Sequence, residues 1–181
     1  LTRRRMMTRG ARTCWCCDDL VINIGTEKLH ASREIMTRVS LVFKDKLSGL
    51  FEKKKKKKHG RKEEVMLQNI VYEEFRDLLN VVYCGKIADR MVVSLLHLAQ
   101  LFEMKRIMDK IEAHLIQSRG FSVGSKLVAA DRYGLHDLRA HCLDSFTNVG
   151  EMGDAIWPLY ETAIFSEDTR NAISRRLAEL G

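Results

Sequence analysis

The stretch at residues 19–36, DLVINIGTEKLHASREIM, decides how the amino-terminal part of this chain folds. Its first segment, DLVINIG, reads as a half-buried strand, because apolar side chains alternate along it. Gly25 and Thr26 form a turn signal, so the following EKLHA is predicted to return as the second strand of a hairpin. Ser32 is a suitable N-cap for a helix that begins in REIM. The stretch therefore predicts a β-hairpin that leads into a short helix.

The next segments add a second helix, a basic loop, a third strand and a third helix. SLVFKDKLSGLF, residues 40–51, has apolar residues at helical spacing and predicts the second helix. Eight of the ten residues at 53–62 are Lys or Arg, and such like charges disfavour a helix, so residues 53–64 are predicted to form a solvated loop. VMLQNI would follow as a strand, and VYEEFRDLLNVVY carries a clear helical stripe.

The composition indicates a folded, helix-rich protein whose positive charge is local. The chain has 181 residues, of which 45% are hydrophobic, enough to bury a core at this length. Its single proline argues against an all-β fold, and its five cysteines, an odd number, argue against a disulfide framework. The basic block supplies eight positive charges and the arginines of residues 1–12 supply five, so a net charge of +7 leaves the rest of the chain at −6. The body of the protein is therefore mildly acidic.

A repeat with an offset of 31 residues runs through the second half of the chain. AQLFEMKRIMDKIEAHL from Ala99 aligns with ADRYGLHDLRAHCLDSF from Ala130, and small, aromatic and apolar positions recur in both. Each copy predicts a buried helix, a tight turn and an amphipathic helix, and MVVSLLHLAQLF in the first copy is apolar almost all round. A last helix is predicted in SEDTRNAISRRLAEL, with Ser166 as its N-cap. Strands at one end and helices at the other make the predicted fold class α+β.

The motifs together resemble the BTB (POZ) domain family, from about Asp19 to Leu115. DLVINIGTEKLHASREIM is similar to the family's opening hairpin and first helix, and SLVFKDKL to the start of its second helix, with Leu41 where proline is usual. VYEEFRDLLNVVYCGKI is similar to the aromatic-Tyr-x-Gly signature that closes the third helix, and LLHLAQLFEMKRI to an Ala-x-x-Phe/Tyr-x-Met/Leu step. Within the family the chain resembles nematode-type ubiquitin-ligase adaptors that carry a MATH domain, although no MATH segment is present in these residues.

The resemblance implies a BTB/POZ fold, a small sheet capped by helical hairpins, with an all-α C-terminal extension. The implied domains are a loose tail at 1–17, a BTB/POZ domain at 18–117 that contains the basic loop, and a helical extension at 118–181 that resembles a paired-helix box or BACK region. The resemblance also implies a protein-interaction module that is not an enzyme and needs no cofactor.

Family members dimerise through their first two helices. The residues that would form the dimer interface are Ile35, Met36, Val39 and Phe43. Helical spacing alone also allows these four to be ordinary core residues. Asp19 and Arg33 would meet in a charged pocket at the dimer groove, either to fix geometry or to contact a partner.

Many family members also dock on a cullin scaffold, so the implied function is a homodimeric substrate adaptor of a cullin-RING E3 ubiquitin ligase, with an unidentified substrate protein. The residues expected to face the cullin are Leu50, Phe51 and Glu52. The basic loop borders that face, and its positive charge would alter the electrostatic fit to a cullin.

Two alternatives use the basic loop differently. The chain could be a BTB oligomerisation scaffold that binds no cullin and acts in the nucleus, with the loop as its import signal. The residues of that signal would be Lys53, Lys54, Lys55, Lys56, Lys57, Lys58, Arg61 and Lys62. Weak nucleic-acid binding by the loop is disfavoured, because no aromatic residues interleave with the charges.

Other functional classes lack a motif. The spacing in CWCCDD is too tight for a zinc site, and the sequence contains no nucleophile elbow, phosphate-binding glycine loop or zincin motif. No apolar run approaches the roughly 20 residues that span a bilayer. The odd number of cysteines favours a reducing compartment, so the expected location is intracellular, in the cytoplasm or the nucleus.

Overall fold

The structure is a computed structural model that describes residues 19–53, 63–160 and 165–181. The chain divides into two compact units, residues 1–86 and 87–181, and each unit is described by itself. The first unit contains, in chain order, β1 (Leu20–Ile24), β2 (Glu27–Ala31), α1 (Arg33–Val39), α2 (Leu41–Lys53), β3 (Glu63–Leu67) and α3 (Tyr72–Cys84). The second unit contains α4 (Val92–Leu101), α5 (Lys105–Gln117), α6 (Val123–Tyr133), α7 (His136–Asp144), α8 (Val149–Tyr160) and α9 (Glu167–Leu180).

The strands of the first unit form a sheet with the order β2-β1-β3. β1 pairs with β2 in antiparallel register, which confirms the predicted hairpin, and β1 pairs with β3 in parallel register. The prediction for the third strand was two residues late, because β3 begins at Glu63 and ends at Leu67. Glu63 and Glu64 were assigned to the basic loop from their charge, but β1 holds their backbone in the sheet. The predicted loop at 53–64 is therefore too long at both ends, since Lys53 closes α2.

The core of the first unit lies where the sheet meets the three helices. All residues of the central strand β1 except Asn23 are buried, alternate residues of β3 are buried, and one face of each helix completes the core. The largest side chains with no exposed surface in this unit are Leu20, Ile22, Met36, Phe43, Leu47, Phe75, Leu78 and Leu79. The rings of Phe43 and Phe75 lie 6.3 Å apart between centroids and hold α2 against α3.

The second unit is a stack of helix pairs. α4 pairs with α5, α6 with α7 and α8 with α9, and the second helices of the pairs also pack in a row, α5 on α7 and α7 on α9. The first two pairs confirm the predicted helical hairpins. α9 with its cap at Ser166 was also predicted, and the Ser166 side chain accepts a hydrogen bond from the backbone N–H of Thr169. α8 was missed.

The repeat of 31 residues is visible in the backbone. The N–H of Met104 donates to the carbonyl of Ala99 at 2.8 Å, and the N–H of Leu135 donates to the carbonyl of Ala130 at the same distance. The offset also reaches the third pair, because α5, α7 and α9 begin at Lys105, His136 and Glu167. The second helices of all three pairs are therefore equivalent, although only two copies were recognised in the sequence.

The expectation that α4 is buried all round was wrong. Leu95, Leu96 and Ala99 are buried, but Val93 is 66% exposed and Leu101 is also exposed. The helix therefore buries one face and shows apolar side chains to water on another. Among residues 19–53, 63–160 and 165–181, no helix is both long and apolar enough to cross a membrane.

Candidate protein-interaction surface

Ser40 forms the corner between α1 and α2. Its N–H donates to the carbonyl of Met36 at 3.0 Å and so closes α1. Its hydroxyl accepts a hydrogen bond from the N–H of Phe43 at 3.1 Å, which caps the start of α2. Ser40 is buried, so both bonds lie away from water and fix the angle between the helices. The corner therefore presents a defined surface to any partner.

Two of the four residues predicted for the dimer interface lie inside the chain's own core. Met36 and Phe43 have no exposed surface, so neither side chain can contact a second copy while the chain stays folded. Apolar residues at helical spacing look the same in a sequence whether they face a core or a partner, and the fold decides which. Met36 and Phe43 are therefore core residues, as helical spacing alone also allowed.

The outward side of the same corner is apolar. Ile35 and Val39 of α1 are half-buried, and Leu41 at the start of α2 is 56% exposed. We call Ile35, Val39 and Leu41 the α1–α2 patch. In the sequence, Leu41 was notable only because it stands where the BTB family usually has proline. Because it groups three apolar side chains with at least partial exposure, we take this patch as the candidate interaction surface.

A cluster of three charged residues fixes the entry into α1. The carboxylate of Asp19 accepts a hydrogen bond from the backbone N–H of Arg33 at 2.8 Å, and the guanidinium of Arg33 pairs with Glu63 at 3.0 Å. Asp19 and Arg33 are in contact through the backbone of Arg33, and their place at a dimer groove stays a prediction. The sequence did not indicate Glu63 as the partner of Arg33, because Glu63 was predicted to lie in the basic loop. Since both charged ends of the Arg33–Glu63 pair are largely buried, the pair fixes geometry more than it adds stability.

The aromatic-Tyr-x-Gly signature has a structural role. The hydroxyl of Tyr83 accepts a hydrogen bond from the N–H of Ser32 at 2.7 Å, which ties the end of α3 to the start of α1. Gly85 ends α3 with a φ of 71°, a left-handed conformation that favours glycine. The signature therefore holds the patch-bearing helix in place.

The remaining predicted surface residues fall at the end of α2 and beyond it. Leu50, Phe51 and Glu52 belong to α2, but their side chains are outside the described part of the chain. Lys53 is the last residue of α2, and residues 54–62 are outside the described residues, together with the CWCC segment. The import signal and the cullin-facing set therefore stay predictions.

The surroundings of a thiol and a carboxyl of the described residues shift their pKa values. Burial raises the pKa of the Cys142 thiol to about 11, so the group is protonated at neutral pH and fills the core. The described residues hold no cluster of His, Cys, Asp and Glu suited to a metal ion. A hydrogen bond from His114, 2.7 Å from Asp89, lowers the pKa of the Asp89 carboxyl, with a second hydrogen bond from Ser118. Ser118 and His114 both contact Asp89, which joins the end of α5 to the turn before α4.

The fold is a small mixed sheet with helices, and the apolar corner between α1 and α2 is its candidate site for contact with other proteins. The chain belongs to the BTB/POZ domain family, since the model of that family matches residues 10–119. A BTB/POZ domain is a protein-interaction module and is not typically enzymatic. The family match ends next to Gln117, where α5 ends, so α4 and α5 belong to the matched region even though they pack in one unit with the helices that follow.

Known proteins similar to the chain carry the same domain. The chain is 30% identical over 173 residues to BTB and MATH domain-containing protein 38 of Caenorhabditis elegans, which covers 94% of the chain and 43% of the relative. It is 28% identical over 127 residues to BTB and MATH domain-containing protein 36 of the same organism, which covers 69% of the chain and 38% of the relative. The chain therefore spans less than half the length of these relatives.

Similar solved structures are also BTB domains. The BTB domain of zebrafish PATZ1 has a TM-score of 0.43 and 22% sequence identity, over 55% of this chain and 76% of that chain. The BTB domain of human Gigaxonin has a TM-score of 0.42 and 14% identity, over 52% of this chain and 74% of that chain.

Proposed function

We propose that this protein is a homodimeric BTB adaptor that brings a substrate protein to a cullin-RING E3 ubiquitin ligase. The observation that carries the dimer is the α1–α2 patch, in which Leu41 is 56% exposed at a corner that Ser40 makes rigid. The adaptor role is supported by the names of the relatives, in which a BTB domain accompanies a MATH domain. We place the protein inside the cell, in the cytoplasm or the nucleus.

The dimer follows from the physical cost of leaving the patch in water. A C2 dimer uses the same patch on both copies, so Leu41 of each copy would cover apolar surface of the other. Burial of a large apolar side chain contributes roughly 1.5–3 kcal/mol. Asp19, Arg33 and Glu63 lie at the start of the helix that bears the patch, and their role in the dimer is to hold α1 at the angle that presents it.

Sedimentation of the chain with Ile35→Asp and Leu41→Asp tests the dimer. We expect the double variant to sediment as a monomer, because four carboxylates would face each other across the interface. Met66→Asp is the matched control, since Met66 is exposed on β3 and lies outside the patch. A double variant that sediments as a dimer, with circular dichroism unchanged, would contradict this interface.

Pull-down with the N-terminal domain of a cullin tests the adaptor role separately. We expect binding at micromolar concentration, reduced by Leu50→Ala and Phe51→Ala. If the chain stays dimeric and captures no cullin at that concentration, the adaptor function is wrong while the dimer stands.

A second candidate is a BTB scaffold that binds no cullin and acts in the nucleus. The observation that favours it is the run of six lysines at 53–58, which is typical of an import signal. Replacement of Lys53, Lys54, Lys55, Lys56, Lys57 and Lys58 by Ser should move a fluorescent fusion out of the nucleus. An unchanged distribution would remove the support for this candidate.

A further inference from the structure

Helix α8 presents a second apolar surface that the proposed dimer and cullin contacts do not use. Val149, Gly153, Trp157 and Tyr160 recur every three or four residues and form one stripe along the helix. Trp157 is 63% exposed and Tyr160 is 40% exposed, whereas a different face of α8 buries Met152 and Ile156. We call these four residues the α8 stripe. Large aromatic side chains exposed in a row are unusual on a soluble helix and mark a contact surface.

The aromatic side chains of the stripe pack on neighbouring residues. A Cβ added at Gly153 would lie 3.2 Å from Nε1 of Trp157, so the glycine allows the indole to lie close along the helix. The rings of Trp157 and Tyr160 lie 5.7 Å apart, and Tyr160 lies 5.5 Å from the buried ring of Phe165. These contacts restrict both side chains before a partner arrives, which lowers the side-chain entropy that binding costs.

The helix stack does not explain the stripe. Arg139 and Leu143 of α7 both contact α9. The offset of 31 residues leads from them to Arg170 and Ser174 of α9, which are exposed and polar. The outer face of that row is therefore polar where it meets water, whereas the stripe on α8 is apolar.

The charges beside the stripe indicate the chemistry of that partner. Helix α8, residues 149–160, contains two acidic residues, Glu151 and Asp154, and no Lys, Arg or His. Glu151 uses its carboxylate to accept hydrogen bonds from the N–H and the hydroxyl of Thr147 at the start of α8. Asp154 is exposed three residues before Trp157, within one helical turn of it. A carboxylate beside an exposed indole face favours a cation, which both groups attract.

We propose that the α8 stripe docks a basic amphipathic helix of a partner protein, with Trp157 as its apolar anchor and Asp154 as the contact for a Lys or Arg. The apolar face of such a helix covers Val149, Trp157 and Tyr160, and its basic edge lies along Asp154. This contact is independent of the α1–α2 patch, so it can be present whether or not the chain dimerises.

Fluorescence anisotropy of labelled peptides tests the proposal on the full chain. The probe is an amphipathic Leu/Lys helix of about 15 residues, the length at which a helix in isolation becomes stable. Its controls are a scrambled peptide of the same composition and a Leu/Glu helix of the same pattern. We expect the Leu/Lys helix to bind and both controls to bind at least about tenfold more weakly.

Variants of the stripe locate the binding. Trp157→Ala should weaken binding of the Leu/Lys helix by about tenfold or more, as is typical of an aromatic anchor. Asp154→Lys should reverse the preference toward the Leu/Glu helix. Val93→Ala, an exposed apolar residue of α4, is the matched control and should leave the affinity unchanged.

Three results would overturn the proposal. The first is equal binding of the Leu/Lys helix to the wild type and to both stripe variants, and the second is equal affinity for the Leu/Lys and Leu/Glu helices. The third is a lower sedimentation mass of Trp157→Ala without peptide, because a second copy of the chain would then cover the stripe. Trp157 and Asp154 are exposed, so urea unfolding should show that both variants fold.

Discussion

In the hairpin of α4 and α5, the turn residue with a positive φ is Glu103, at 49°, whereas in the hairpin of α6 and α7 the equivalent residue is Gly134, at 66°. The backbone hydrogen bond that closes each turn is the same, and the core positions on both sides match at an offset of 31 residues. The two turns therefore have the same left-handed backbone conformation, but only the second has glycine, the residue that this conformation favours.

The first helices of the two hairpins, α4 and α6, differ at equivalent positions because only α6 has α8 packed on it. Gly124 of α6 corresponds to Val93 of α4, and an added Cβ at Gly124 would lie 3.0 Å from Leu159 of α8. Lys126 corresponds to the buried Leu95, and its ammonium donates to the carbonyl of Ser118 at 2.7 Å. Gly124 therefore leaves room for α8, which packs on α6, while the equivalent Val93 of α4 faces water.

The largest expected effect tests whether the core positions are equivalent. Ile107 and Leu138 occupy the same position of the repeat, and both are buried. Ile107→Ala and Leu138→Ala should each lower the free energy of unfolding by about 2–5 kcal/mol, because each leaves a cavity in a close-packed core. Urea unfolding followed by circular dichroism measures both. The equivalence of the two hairpins breaks if one substitution costs several kcal/mol and the other costs almost nothing.

A smaller effect tests the difference between the first helices. Gly124→Val should cost about 1–3 kcal/mol, because the larger side chain would push against Leu159 and the backbone of Ala155, 3.3 Å away. Val93→Gly is the matched exchange and should cost about 0.5 kcal/mol, the difference in helix propensity. Similar costs for the two variants would mean that α8 does not constrain α6.

Substitutions at the two turn residues should change the stability of the chain in opposite directions. Gly134→Ala should destabilise the chain by about 1–2 kcal/mol, the cost of a left-handed conformation for a residue with a Cβ. No atom lies within 4 Å of the added Cβ, so the cost comes from the backbone alone. Glu103→Gly should stabilise the chain by up to about 1 kcal/mol, since it relieves the same strain. A loss of stability in both variants would show that the turns are held differently.

The sequence predicted the elements that follow regular patterns, but it did not predict the element that interrupts such a pattern. The hairpin of β1 and β2, the caps at Ser32 and Ser166 and the first two helix pairs follow from periodicity and turn chemistry. α8 was missed because Gly150, Gly153 and Pro158 are residues that usually end helices. α8 also begins 26 residues after α6, so its start breaks the offset of 31 and hides the third pair.

The candidate site was harder to read because its residues are chosen by tertiary contacts. Met36 and Val39 have the same apolar character, but the first is buried and the second is half-buried, and only packing against the sheet separates them. The Asp19–Arg33 contact was found from the resemblance, yet its partner Glu63 comes from a strand 30 residues later in the chain than Arg33. A parallel strand pair of this kind leaves no local signal in the sequence.

The smallest expected effect concerns Asp131 of α6, which corresponds to Gln100 of α4. The carboxylate of Asp131 accepts hydrogen bonds from the N–H of Ser166, at 3.1 Å, and from its hydroxyl, at the start of α9. Burial alone would raise the pKa of Asp131, but the hydrogen bonds from Ser166 and Thr169 outweigh it and hold the pKa below the ordinary value of an Asp carboxyl. Asp131→Asn should therefore cost about 0.5–1 kcal/mol at neutral pH, because the group is partly exposed and screened.

Because the pKa of Asp131 is lowered in the folded chain, the stabilising effect of its carboxylate should depend on pH. A carboxyl whose pKa is lower in the folded chain stabilises the fold above the pKa of the unfolded chain, about 3.9, and loses that contribution as the pH falls below it. The difference in unfolding free energy between the wild type and Asp131→Asn should be constant from pH 7 to about 5 and shrink below about 4. Gln100→Asn is the control, and its difference from the wild type should not change with pH. If both variants showed the same pH dependence, the ionised Asp131 would not be what holds α9 to α6, and the second hairpin would differ from the first only in its packing.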